Sequence, residues 1–138
     1  EDKVNAILYV DGAADLHSKT AGIGGVVYVD GQEIATFSEP LFDKTNNESE
    51  YLALARGINL LHKLRFANVI IYADSQLVVN QVNGKYKVKN DRMKVLHSKV
   101  LSLLQPFDKW TINHILRGKN KRADELSKLG METARIEK

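Results

Sequence analysis

No cysteine occurs among the 138 residues. Its absence excludes disulfide frameworks, thiolate zinc sites and cysteine nucleophiles together. There are only two prolines, and no Pro/Ser-rich linker, low-complexity tract or internal repeat. No apolar run approaches the ~18 residues that a membrane span needs, and no signal-peptide pattern opens the chain. A chain without cysteine fits a reducing compartment. The expected location is cytoplasmic, with no membrane partner. The first residue is Glu1 and not Met, a start compatible with an excised domain.

What is present is ordinary for a globular protein: 43% hydrophobic and 27% charged residues. The length lies below the usual ~150 residues per domain, so residues 1–138 read as a single domain and, as expected, a monomer. A chain of this size buries roughly two-thirds of the surface its unfolded form exposes, enough to fold without a structural metal. The net charge of +3 conceals an asymmetry. Residues 1–84 carry six Lys and Arg against eleven Asp and Glu, and residues 85–138 carry fourteen against six. A basic second half points to a polyanion partner, and an acidic first half to something that concentrates carboxylates.

Hydrophobic patterning places the elements. Ala6 to Val10 is a continuous apolar run ending at Asp11-Gly12, which reads as a buried strand. Ile23 to Tyr28 and Ile34 to Phe37 flank Asp30-Gly31, a hairpin signal. The cap-like cluster Thr45-Asn46-Asn47 precedes a helix whose Leu54, Ile58 and Leu61 share one face. Val69 to Ala73 is a second buried strand, ending at Asp74-Ser75, and a short helix runs from about Gln76 to Val82. Asp91 is expected to cap a helix with apolar positions Val95, Leu96, Val100, Leu103 and Leu104, stopped by Pro106. Trp110 to Ile115 alternates like a strand. Asn120 is expected to cap a last helix with Ala123, Leu126, Leu129 and Gly130 facing inward. The order β-β-β-α-β-α-α-β-α implies an α/β domain, a mixed sheet with helices on its faces.

Four carboxylates should meet on this frame. Asp11 and Asp74 each follow an apolar strand run, so parallel neighbouring strands would deliver both to one sheet edge. Asp after a strand is also a common turn residue, so either alone says little. Glu50 lies four residues before Leu54 and eight before Ile58, on the inward face of its helix. A favourable helix dipole accounts for Glu48 but not for that face. Asp124, in the first turn of the last helix, is the fourth. Several converging acids repel, and divalent cations are the usual remedy. Oxygen-only ligation suits Mg²⁺ or Mn²⁺ over zinc. Two such ions roughly 3.5–4 Å apart serve phosphodiester hydrolysis, which fits the basic second half.

At these residues the sequence resembles the type 1 ribonuclease H family, from about Ile7 to Leu129. The resemblance rests on four segments in order: Tyr9-Val10-Asp11-Gly12-Ala13-Ala14, Thr45-Asn46-Asn47-Glu48-Ser49-Glu50-Tyr51, Ala73-Asp74-Ser75-Gln76, and Asn120-Lys121-Arg122-Ala123-Asp124-Glu125-Leu126. It implies a ribonuclease H-like fold: a five-stranded mixed β-sheet with helices on both faces. It also implies an endoribonuclease that cuts the RNA strand of RNA/DNA hybrids, leaving 5′-phosphate and 3′-OH ends. Asp11, Glu50, Asp74 and Asp124 would hold two Mg²⁺ ions, with Mn²⁺ as a substitute. Asp11 would bridge them, and Glu50 would also sense the 2′-OH that distinguishes RNA from DNA. By the same resemblance, Asn46, Asn47 and Gln76 would reach the hybrid minor groove. Thr45 would lie near a DNA-strand phosphate, and the backbone of Gly12, Ala13 and Ala14 would approach the RNA. Double-stranded RNA is left open as a further substrate.

Three departures accompany the resemblance. Many bacterial members carry a His before the last Asp, whereas here Arg117 lies seven residues before Asp124, as in an archaeal-like branch. A guanidinium cannot act as a base but can stabilise phosphate charge. His114 reads as structural, and His17, His62 and His97 as surface or packing residues. The basic protrusion is absent: the connection is only Gly84 to Arg92, where Lys85, Lys87 and Lys89 alternate and could face phosphates. Asp15 adds a negative charge close to the site with no assigned role. Two rival readings are a catalytically silent nucleic-acid-binding module and a nuclease domain cut from a reverse transcriptase.

Overall fold

A computed structural model of the chain describes residues 4–138. Three strands come first: β1 (Asn5–Asp15), β2 (Thr20–Val29) and β3 (Gln32–Phe42). Helix α1 (Asn46–Lys63) leads to β4 (Asn68–Ala73), then α2 (Gln76–Val82) and α3 (Asp91–Leu104). Strand β5 (Lys109–His114), a 3₁₀ turn (Arg117–Lys119) and α4 (Lys121–Glu137) complete the chain. The sheet order is β3-β2-β1-β4-β5, with β1–β2 and β2–β3 antiparallel and β1–β4 and β4–β5 parallel. This is the expected five-stranded mixed sheet. Among the described residues, no helix is long and apolar enough to cross a membrane.

The hairpin signal is realised as its residues require. Asp30 and Gly31 have φ of 52° and 77°, the left-handed pair of a two-residue turn that matches strand twist. Alternation then sorts the two faces of β1. Leu8 and Val10 meet α1 at Gly57, and α3 packs along α1. The opposite face of the β1–β2–β3 half is covered by α4. On α1, Tyr51, Leu54, Ile58 and Leu61 are fully buried, as the +4/+3 spacing predicts.

Several expectations are corrected. Asp11 does not follow its strand. β1 continues to Asp15 because β2 pairs with it from Ile7↔Tyr28 to Asp15↔Thr20. Within the cap-like cluster, the cap of α1 is Thr45. The Thr45 hydroxyl accepts from Glu48 N at 3.1 Å and Glu48 accepts from Thr45 N at 3.1 Å, a reciprocal capping box. Asn90, not Asp91, caps α3, accepting from Met93 N at 3.1 Å. The inward stripe of α3 is Met93, Val100 and Leu104, which leaves Val95 off the stripe and exposed. Likewise Ala123, Leu126, Ser127, Gly130 and Ala134 form the buried stripe of α4, and Leu129 is exposed. Strand β5 ends at His114, one residue short of Ile115.

Candidate active site

Strand pairing brings the first two acids together. β4 stops at Ala73, which lies opposite Val10. The next residues, Asp74 and Asp11, therefore leave the paired region side by side. Asp11 is almost fully buried, and Asp74 is half-buried.

The third acid comes from α1. A Cβ on Gly12 would lie 2.4 Å from the carbonyl carbon of Ser49 and 2.7 Å from Glu50 N. Only glycine lets the strand and helix backbones touch here. The contact allows Gly12 N–H to donate to Glu50 Oε1 at 3.1 Å, inside the protein. Asp11, Glu50 and Asp74 then each offer a carboxylate oxygen within 4.8 Å of the others.

The fourth acid stands beside this group and not within it. A Cβ on Gly24, the β2 partner of Asp11, would lie 2.3 Å from Ser127 N, so α4 also sits directly on the sheet. Ser127 Oγ donates to Asp124 O at 2.8 Å and lies 3.3 Å from Asp11 Oδ2. The Asp124 carboxylate pairs with Lys128 Nζ at 2.9 Å. Its charge still reaches Asp11.

Burial pushes the Asp11 carboxyl up, and the charges of Asp74 and Asp124 add to that, against a lowering hydrogen bond with Glu50. Burial likewise pushes Glu50 up, reinforced by the hydrogen bond and charge of Asp11 and opposed by Gly12 N–H. Without a cation, these two acids together retain proton density well above the ordinary carboxylate range. Asp11 Oδ1 and Glu50 Oε2 are buried beside no N–H or hydroxyl donor, so the pair can only share a proton of its own. Replacing that proton with a hard divalent cation suits three clustered acids with no Cys or His in the set.

A family model described as reverse transcriptase-like matches residues 9–130. The ribonuclease HI of Halobacterium salinarum is 32% identical over 127 residues, covering 91% of this chain and 64% of that protein. This chain belongs to the ribonuclease H family of hydrolases. The crystal structure of RNase H1 from H. salinarum superposes with a TM-score of 0.91 at 30% identity, covering 94% of this chain and 99% of that one. LC11-RNase H1, solved in complex with an RNA/DNA hybrid, gives 0.87 at 32% identity over 94% of this chain and 98% of that one. This chain spans between 36% and 64% of the length of curated relatives from Halobacterium, Mycobacterium and Bacillus.

The other residues implied by the ribonuclease H resemblance surround the carboxylates unevenly. Asn46 is exposed, and its Oδ1 accepts from Ala14 N at 2.9 Å, which ties the Gly12–Ala14 backbone to α1. Asn47 and Thr45 are half-buried, and Gln76 is exposed at the start of α2. Arg117 is exposed in the 3₁₀ turn. Lys85, Lys87 and Lys89 are all exposed on an irregular segment, and Gln81 Nε2 holds its Lys87 carbonyl at 3.3 Å. Asp15 acquires a role: it accepts from His17 N at 3.0 Å and from Arg135 at 3.2 Å, pinning α4 to the β1–β2 turn. His62 stacks on Phe107 and His97 packs edge-on to Tyr51, as packing residues.

Ser127 and Asn120 were not anticipated at the site. Ser127 had a signal, since a polar residue on the inward stripe of α4 is the same anomaly that marks Glu50 on α1. Asn120 occupies the cap position but makes no side-chain cap bond.

Proposed function

We propose that this chain is a divalent-cation-dependent endoribonuclease that hydrolyses the RNA strand of RNA/DNA hybrids, as a monomer, to 5′-phosphate and 3′-hydroxyl ends. The observation that carries the reading is the Asp11, Glu50 and Asp74 cluster, with two buried oxygens beside no N–H or hydroxyl donor. A hybrid substrate is supported by the likeness to LC11-RNase H1, whose structure is a hybrid complex.

Asp11, Glu50, Asp74 and Asp124 would hold two Mg²⁺ ions, with Mn²⁺ as a substitute. Such ions supply an activated water and charge stabilisation at the departing 3′-oxygen. The protein's own part is placement. Gly12 N–H fixes Glu50 Oε1 and so orients the carboxylate that would also sense a ribose 2′-hydroxyl. Asn46 keeps its amide donors for the minor groove because its Oδ1 already holds Ala14 N. Asp124 can turn from Lys128 at modest cost, since an i,i+4 pair whose lysine is exposed contributes on the order of 0.5 kcal/mol. Arg117 offers planar donors to a phosphate beside the site.

The test uses a hybrid with labelled RNA, in Mg²⁺, with double-stranded RNA as the comparison substrate. Asp74→Asn should abolish hybrid cleavage while the far-UV spectrum is unchanged. A fully active Asp74→Asn protein overturns the site. Replacing Lys85, Lys87 and Lys89 together with Ala should weaken hybrid binding. The slope of log K against log[salt] should fall by about 0.7–0.9 for each phosphate that is no longer neutralised.

A further inference from the structure

Asn120 stands where a helix cap should be, yet its side chain is turned the other way. It is 1% exposed, with φ −116° and ψ 30°, and although Asp124 N donates to its backbone carbonyl at 3.0 Å, no first-turn N–H of α4 bonds to its side chain. Its amide instead points into the sheet edge. Nδ2 donates to Val10 O at 2.9 Å and to Asp74 Oδ2 at 3.0 Å. An amide nitrogen has two hydrogens, and both are used.

The two acceptors are not equivalent. Val10 is the last β1 residue paired with β4, so the Asn120 amide binds its carbonyl where the β1–β4 ladder stops. That bond alone would be a sheet-end closure. The second bond goes to a half-buried carboxylate that water could otherwise reach. It fixes the rotation of the Asp74 carboxyl relative to the strand that carries Asp11. The remaining atom, Asn120 Oδ1, is buried without a partner. Neither helix capping nor full satisfaction of its own polar atoms explains this placement.

We propose that Asn120 is a positioning residue for the cation site: through one amide it orients Asp74 and ties it to β1, so that Asp74 meets Asp11 and Glu50 in a cation-ready arrangement. The inference rests on the metal-dependent reading above. It makes Asn120 an outer support of a ligand and not a ligand itself. Outer supports of this kind typically change metal affinity by about 10–100-fold when removed.

Asn120→Ser separates this role from a merely structural one. Serine is as good a helix cap as asparagine, so α4 keeps its start, but the shorter side chain no longer reaches Asp74. Mn²⁺ binding is measured by calorimetric titration on the intact protein, beside wild type and Asp74→Asn, with thermal melting in EDTA alongside. The expected result is a melting temperature near that of wild type and at least about a tenfold loss of Mn²⁺ affinity. The Mg²⁺ concentration for half-maximal hybrid cleavage should rise by a similar factor. Asn120→Ala, which loses both bonds, should show the same affinity loss and supplies a second folded variant. Unchanged Mn²⁺ affinity in either folded variant, with wild type binding normally, overturns the positioning role alone. Wild type that binds no Mn²⁺ overturns the metal reading and this inference with it.

Discussion

The two ends of α4 treat neighbouring acids of the same strand in opposite ways. Asp11 and Asp15 are four residues apart on β1, so both project to the α4 side. At the C-terminal end of the helix, Asp15 is held below the ordinary carboxylate range by Ser18, His17 N and Arg135. Lys138 adds a bond to the Ser18 carbonyl. At the N-terminal end, Asp11 has no cationic partner: it meets the carboxyl groups of Glu50 and Asp124 and the Ser127 hydroxyl at 3.3 Å, and that hydroxyl is closer to the Asp124 carbonyl. Cations are not scarce there. Arg122 is committed to Glu33 and Glu125, and Lys128 to Asp124. Arg122, Lys128 and Arg135 of α4 are thus each paired with an acid, and none is paired with buried Asp11. Compensation at Asp15 builds the fold. Its omission at Asp11 leaves room for a ligand of higher charge.

The contrast can be broken most completely at Asp11. Asp11→Asn should reduce hybrid cleavage to background yet raise the melting temperature in EDTA at pH 8, because a buried, repelled charge is removed. A gain on the order of 1–2 kcal/mol corresponds to roughly 3–7 °C for a domain of this size. Glu50→Gln should change the melting temperature less, because burial and Asp11 push its carboxyl up far enough that it is largely protonated at pH 8 already. A fall in melting temperature for Asp11→Asn would mean that its charge is already compensated.

The pH dependence comes next in size. The folded values of Asp11 and Glu50 are raised, so the folded state binds protons that the unfolded state has released. Their contribution to stability is therefore complete below about pH 4 and is lost as pH rises through the folded values. Asp11 is pushed up to about 6, and Glu50 higher. In EDTA, this pair should lower the melting temperature progressively from pH 5 to pH 8. Added Mg²⁺ should restore more at pH 8 than at pH 5. Equal restoration at both values would dissociate the acids from the cation. The smallest effect belongs to the other end of the helix. Arg135→Ala should lower the melting temperature slightly, with the difference shrinking in 1 M salt and hybrid cleavage kept. Loss of cleavage would show that the β1–β2 turn is part of the site.

Much of this arrangement is legible in the sequence because it violates local patterning. Glu50 stands on an apolar stripe, and Asp11 and Asp74 terminate apolar runs that pair in parallel. Asn120 misleads because its neighbours make a plausible cap, and only the third dimension shows that Val10 and Asp74 lie within its reach. The cap of α1 goes to Thr45 because its hydroxyl and Glu48 satisfy each other, which frees Asn46 for Ala14. Val95 and Leu129 fail as core residues for a simpler reason. Each helix buries a single narrow stripe, and a hydrophobic residue beside that stripe stays in solvent.

The meeting of Gly12 with Ser49 and Glu50 sets a gauge of a different kind. Two backbones already in contact cannot come closer. The least distance from β1 to α1, and with it the least gap between Asp11 and Glu50, is therefore set by atomic radii. Any change in the width of the site can only open it.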